Sequence, residues 1–176
     1  MDLGLEVKFV GGPPVLSDDS VIEGYASLFG VTDQGGDSVL PGAFAASLKR
    51  LAGKGDKVRM LWQHDPTRPI GVWDEVREDG KGLWVKGRLL PDVAQAREAA
   101  ALIKAGAIDG LSIGYRTVRA ERDGKSRRQL VELDLWEVSL VTFPMLPEAK
   151  IGQKDVDDMR EFAAIFAAAT EVLRGA

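Results

Sequence analysis

Gly110-Leu111-Ser112-Ile113-Gly114-Tyr115-Arg116-Thr117-Val118-Arg119 is the stretch that decides the fold. Its first five residues have the G-x-S-x-G spacing of the nucleophile elbow of α/β-hydrolases, in which the serine sits on a sharp turn between a strand and a helix. The residues after Ser112 do not allow that reading. Ile113, Tyr115, Thr117 and Val118 are β-branched or aromatic, so the chain runs on as a strand. The elbow fold also places its histidine after the serine, whereas the single histidine of this chain, His64, precedes it. Ser112 therefore belongs to a β scaffold.

Outward from Ser112, the surrounding sequence is mostly strand. Gln129 to Phe143 reads as a long partner strand joined through the Asp123-Gly124-Lys125 turn, and its alternation slips between Leu135 and Val138, which predicts a bulge or bend. Leu3 to Val10, Val21 to Phe29, Val58 to Gln63, Ile70 to Val76 and Leu83 to Leu89 add further strands. Asp79-Gly80-Lys81-Gly82 reads as a hairpin turn in which the glycines take up positive φ. Two helices interrupt the strands. One follows Pro41, with Phe44, Leu48 and Leu51 on one face and Gly53 as its stop. The other runs from Val93 to Lys104, with Pro91-Asp92 as its cap and Gly106 as its stop. This order predicts an α+β domain, a mostly antiparallel β-barrel with peripheral helices. After a linker-like stretch from Pro144 to Lys154, Asp155 to Arg174 carries an apolar seam at Met159, Phe162, Phe166, Ala169 and Leu173, as in an amphipathic helix.

Composition removes several function classes. The chain has 176 residues and can bury about 70% of the surface its unfolded form exposes, so no disulfide or metal is required for folding. With no cysteine and one histidine, thiolate zinc sites and sites needing two imidazoles are excluded. A net charge of −4 gives no general attraction to nucleic acid or to anionic membranes, and neither is expected as a partner. Met1 to Lys8 lacks the basic and apolar regions of a signal peptide, which points to a soluble, cytoplasmic protein.

The remaining chemistry is a histidine followed by a serine. His64 lies at a strand tip in Leu61-Trp62-Gln63-His64-Asp65-Pro66, where the Asp-Pro pair is expected to break the pairing. A serine hydroxyl is a poor nucleophile until a base takes its proton, and the base works better when a third group holds its tautomer. That third group cannot be a histidine here; Asp65, Asp109, Asp134 and Glu137 are the acidic candidates. A carboxylate-based hydrolase would leave the glycine-flanked serine and the sole histidine unexplained. Ser38, in Gly35-Gly36-Asp37-Ser38, lacks the glycines that follow a chymotrypsin-type serine and precedes His64. Backbone N–H groups near Gly114, or in the turn after Phe143, are candidates for an oxyanion hole. The basic residues around Asp123-Gly124 read as a solvated hairpin surface.

Taken in order, Gly24-Tyr25-Ala26-Ser27-Leu28-Phe29, Gly36 to Phe44, Leu61-Trp62-Gln63-His64-Asp65, Pro69-Ile70-Gly71, Gly110 to Tyr115 and Glu137-Val138-Ser139-Leu140-Val141-Thr142-Phe143-Pro144 resemble the prohead maturation proteases of tailed bacteriophages. The blocks span about residues 21 to 149. The resemblance implies a serine endopeptidase that cleaves the scaffold region of the major capsid protein, or a separate scaffold protein, and itself. It would act inside the immature capsid in the host bacterial cytoplasm, as a homodimer or higher homo-oligomer, without cofactor or metal. It also implies a fold like that of herpesvirus assembly proteases, with His64 and Ser112 as the catalytic pair. The herpesvirus enzymes use a second histidine as third member; here the acidic residue in the most comparable place is Glu137, preferred over Asp65 and Asp109, with Asp134 behind them. On this reading residues 1–146 form the protease domain and residues 147–176 a linker and C-terminal amphipathic helix. A non-enzymatic capsid assembly or scaffold protein, working through that C-terminal seam, is the competing reading.

Overall fold

A computed structural model describes residues 6–10, 15–17, 20–33, 35–124 and 126–143. The linker and helix expected at 144–176, and with them the domain division, lie outside the described residues. Nine strands are described: β1 (Glu6–Val10), β2 (Val15–Ser17), β3 (Val21–Leu28), β4 (Asp37–Val39), β5 (Arg59–Trp62), β6 (Asp65–Glu78), β7 (Gly82–Leu89), β8 (Gly110–Arg122) and β9 (Arg128–Val141). Helices α1 (Ala45–Lys54) and α2 (Ala94–Lys104) accompany them. All nine strands join one sheet in the order β1-β8-β9-β5-β6-β7-β3-β2, with β4 attached beside β9.

The described sheet is more mixed and more open than an antiparallel barrel. β5 and β4 both run parallel to β9, while the other pairings are antiparallel. The sheet curls until β3 comes close to β1 and β8, but its hydrogen-bonded path has two ends, at β1 and β2. Curling lets one face of the sheet enclose most of the core, formed by residues such as Ile22, Met60, Ile70, Leu111, Ile113, Leu133, Leu135 and Leu140. No helix among the described residues is long and apolar enough to cross a membrane.

The bulge expected in the last strand sits at Trp136. Gly114 pairs with Glu137 and Tyr115 with Leu135, so Trp136 is the extra residue. Because side chains alternate with a period of two, one inserted residue swaps the faces beyond it. Leu133 and Leu135 before the bulge, and Val138 and Leu140 after it, all reach the core cluster. Glu137 and Ser139 are thereby turned to the opposite face. The bulge is stapled by α1 and by the turn that leads into it. The hydroxyl of Ser47, buried on that helix, accepts the N–H of Leu135 at 2.9 Å, and the carbonyl of Ala43 accepts the N–H of Leu133 at 2.9 Å. Ser47→Ala would leave a buried N–H unpaired, and a loss of about 1–3 kcal/mol is expected in urea unfolding.

Several local reasons differ from the sequence reading. α1 continues through Gly53 and stops at Gly55, whose φ of 66° supplies the left-handed C-cap. α2 starts at Ala94 with Val93 as its N-cap and no side-chain cap, so Pro91-Asp92 does not perform that role. Gly106, with φ 70°, ends it as expected. In the β6–β7 hairpin neither Gly80 nor Gly82 has positive φ. Gly82 is required for space instead: a Cβ there would lie 3.0 Å from the Cα of Leu28 and still closer to the carbonyl of Ser27.

Asp79 closes that hairpin. One carboxylate oxygen accepts the N–H groups of Lys81 (2.8 Å) and Gly82 (3.1 Å), and the other accepts the Tyr25 hydroxyl (2.8 Å) and Arg77 (3.1 Å). The backbone N–H of Lys81 is the largest of the influences that hold its pKa down at about 2, from an ordinary 3.8. The stabilisation is therefore complete above 3.8 and disappears as pH falls from there through about 2. The Tyr25 hydroxyl, bonded to Asp79, is shifted upward from 10.0, so ionisation of the phenol weakens the same contact on the alkaline side, above that value. Urea titrations between pH 5 and about 2 are expected to show an acid loss of stability in the wild type that is smaller in Asp79→Ala.

Candidate active site

The strand tip that carries His64 is built differently from expectation. Asp65 and Pro66 do not break the pairing: Trp62 pairs with Asp65 and β6 begins there. Gln63 and His64 form the turn itself, with φ of 53° and 61°. Two consecutive positive φ values in a two-residue hairpin loop are the signature of a type I′ turn, which matches the right-handed twist of the flanking strands. Neither residue is glycine, so each such conformation costs roughly 1–2 kcal/mol that neighbouring contacts must offset. Contacts of that kind are present. The Gln63 N–H donates to the carbonyl of Leu140 (3.0 Å), its side-chain amide to the Thr142 hydroxyl (2.6 Å), and the His64 N–H to the Ser139 hydroxyl (3.2 Å).

The turn delivers the imidazole to Glu137. His64 Nδ1 lies 2.5 Å from Glu137 Oε1, a short charge-assisted contact with a carboxylate side chain only 5% exposed. An ionised carboxylate can only accept, so Nδ1 is the donor facing it, which in a neutral imidazole leaves the lone pair on Nε2. The other carboxylate oxygen, Oε2, accepts the Ser139 hydroxyl at 2.6 Å.

Ser112 adjoins this pair through the ladder. It is the rung of β8 opposite Ser139, and Gly114 is the rung opposite Glu137. Directly opposed Cα atoms in an antiparallel pair are about 4.5–5.5 Å apart with side chains on a common face. The Trp136 bulge thus brings Ser112, Gly114, Glu137 and Ser139 to one face, and all three side chains are buried. From the opposite face, the indole N–H of Trp73 donates to the carbonyl of Val138 (3.2 Å), anchoring β9 between Glu137 and Ser139.

Gly114 has a spatial reason to be glycine. A Cβ built there would sit 2.7 Å from Cδ and 2.8 Å from Cγ of Glu137, and closer still to Oε1. The carboxylate crosses β8 through the space that a side chain would fill. Gly114→Ala is therefore expected to push the carboxylate off His64 and lower kcat by about 100-fold, since a misplacement near 1 Å has that scale of effect. Circular dichroism should show the fold retained.

The other acidic candidates have different partners. Asp65 accepts the N–H and hydroxyl of Thr67 at 2.9 and 2.6 Å and pairs with Arg68. Asp134 pairs with Arg50 and with Arg116 (3.2 Å). Asp109 immediately precedes β8, which begins at Gly110. Ser38 is a rung of β4 beside Gln129. Gly114 lies between β1 and β9, a position whose backbone groups serve strand pairing, and the turn after Phe143 lies outside the described residues. The basic hairpin is occupied by ion pairs such as Arg119–Glu121, Arg127–Asp123 and Arg128–Asp37. Among the described residues, no three histidine or acidic side chains converge as a metal ion would need.

Sequence reasoning did not single out Ser139, nor the reason for Gly114. The signal available was Glu137-Val138-Ser139: two polar residues at a spacing of two inside an apolar strand, which places both on one face.

A curled α+β sheet with a histidine–carboxylate pair beside a strand-borne serine is the frame of a serine peptidase. The chain belongs to the caudovirus prohead serine protease family, whose profile matches residues 12–162. It is 35% identical over 158 residues to the prohead protease of Enterobacteria phage HK97, covering 86% of this chain and 66% of that protein. It is 32% identical over 124 residues to a capsid polyprotein of Pseudomonas phage PAJU2, covering 66% of this chain and 19% of that protein. The fold is similar to that of the bacteriophage T4 capsid assembly protease, with a TM-score of 0.65 and 17% identity over 80% of this chain and 98% of the T4 chain.

Proposed function

We propose that the chain is the capsid-maturation serine endopeptidase of a tailed phage, with Ser112 as nucleophile, His64 as general base and Glu137 as the group that orients it. The observation that carries this reading is the 2.5 Å contact between His64 Nδ1 and Glu137 Oε1 on the strand adjoining Ser112. His64 Nε2 takes the proton as the Ser112 oxygen attacks the peptide carbonyl, and returns it to the leaving amine. Glu137 holds the tautomer and stabilises the imidazolium. Water, deprotonated by His64, then hydrolyses the acyl-enzyme.

The substrate is the scaffold region of the major capsid protein, or a separate scaffold protein, together with the chain's own linker between Met145 and Lys154. Family membership and the relatives' names support this substrate class. Homo-oligomerisation, a kinship of fold with herpesvirus assembly proteases, and action within the prohead in the host bacterium belong to the same reading. Co-expression with the phage's major capsid and scaffold proteins tests it. The expected result is that one of them is shortened at a defined bond with wild type and intact with Ser112→Ala. Both remaining full-length with wild type would overturn the substrate assignment.

A further inference from the structure

We propose that Ser139 is a positioning residue of this catalytic site, acting through both the carboxylate and the backbone of His64. The proposal rests on the assignment of Ser112, His64 and Glu137 above. Ser139 is fully buried on β9, on the face it shares with the buried Ser112 and Glu137. A hydroxyl in such a place is costly unless both its proton and a lone pair are used.

Both are used, and in a direction the partners dictate. The His64 N–H can only donate, so the Ser139 oxygen accepts there, at 3.2 Å. The hydroxyl proton then goes to the acceptor-only carboxylate, Glu137 Oε2, at 2.6 Å. With Oε1 on His64 and Oε2 on Ser139, the carboxylate cannot rotate without breaking one of the two bonds. The same hydroxyl holds the N–H of a non-glycine residue whose φ is 61°. Ser139 thus sets the position of the imidazole from two directions, through its side-chain partner and through its main chain. It is also the rung opposite Ser112, so these contacts are built in register with the nucleophile.

His64 is the only histidine, so histidine-labelled protein gives a single imidazole in 1H–15N spectra. In the full chain, Ser139→Ala is expected to lower kcat by about 10- to 100-fold with KM little changed. The Nδ1–H signal is expected to shift and to exchange faster with solvent. In a Glu137→Ala background, Ser139→Ala should cost less than it does alone, because only its bond to the His64 N–H is left to lose. Ser139→Thr and Ser139→Val form a second comparison of nearly equal shape, in which only Thr keeps the hydroxyl and should retain the Nδ1–H signal and the higher kcat. Wild-type kcat and an unchanged imidazole spectrum in Ser139→Ala would overturn the proposal. So would equal rates and spectra for Thr and Val, or a full additional loss in the Glu137→Ala background. Activity surviving in Ser112→Ala would instead refute the underlying site assignment.

Discussion

Ser112→Ala is expected to lower peptide cleavage by about 10⁶-fold, and His64→Ala by a similar factor. On the proposed assignment the two act as one unit: without its base the hydroxyl keeps its proton, and without the hydroxyl the base has nothing to activate. The double variant should therefore be scarcely slower than either single one. Substrate binding and transition-state hydrogen bonds that survive would leave a residual rate about 10³–10⁴ above the uncatalysed reaction. Rates on capsid or scaffold substrate, with thermal melts as a fold control, check the pattern. Losses that multiply in the double variant would show that the two residues work independently.

The second large effect is Glu137→Gln, for which a fall of about 10⁴-fold in kcat is expected. The surroundings fix how the amide would sit. If Ser139 keeps donating its buried hydroxyl proton to this position, as it does to the carboxylate, the amide carbonyl turns toward Ser139. The NH₂ group then faces Nδ1 and donates to it. That selects the tautomer with its proton on Nε2, which cannot accept from Ser112. Glu137→Gln should therefore damage the rate while leaving the fold intact, whereas Asp65→Asn and Asp134→Asn should remain within a few-fold of wild type. Spectra of the single labelled imidazole would report the tautomer directly.

The parts of this arrangement that were legible in the sequence depend on local pattern. The β-branched run after Ser112 excluded the elbow, and the broken alternation between Leu135 and Val138 located the bulge that reorients Glu137. What was not legible depends on tertiary contact. Gln63-His64 carries no glycine or asparagine to announce a turn with positive φ; the conformation is held by bonds to Ser139 and Leu140 on β9 and to Thr142 just past its end, all more than seventy residues away. β4 has three residues in a polar loop and exists through its pairing with Arg128–Leu130. Gly82 looks like a turn former in sequence and Gly114 like an ordinary strand position, yet both are needed for close approach, which only the register of neighbouring strands reveals.

The most direct test of the central claim is intact-mass and peptide-mapping detection of fluorophosphonate labelling, applied to a preparation that is cleaving substrate. Turnover matters because Ser112 is fully buried in this state of the chain. A single adduct mapped to Ser112, absent in Ser112→Ala and in His64→Ala, is the predicted result. An active preparation that forms no adduct, or an adduct that persists in Ser112→Ala, would contradict the assignment.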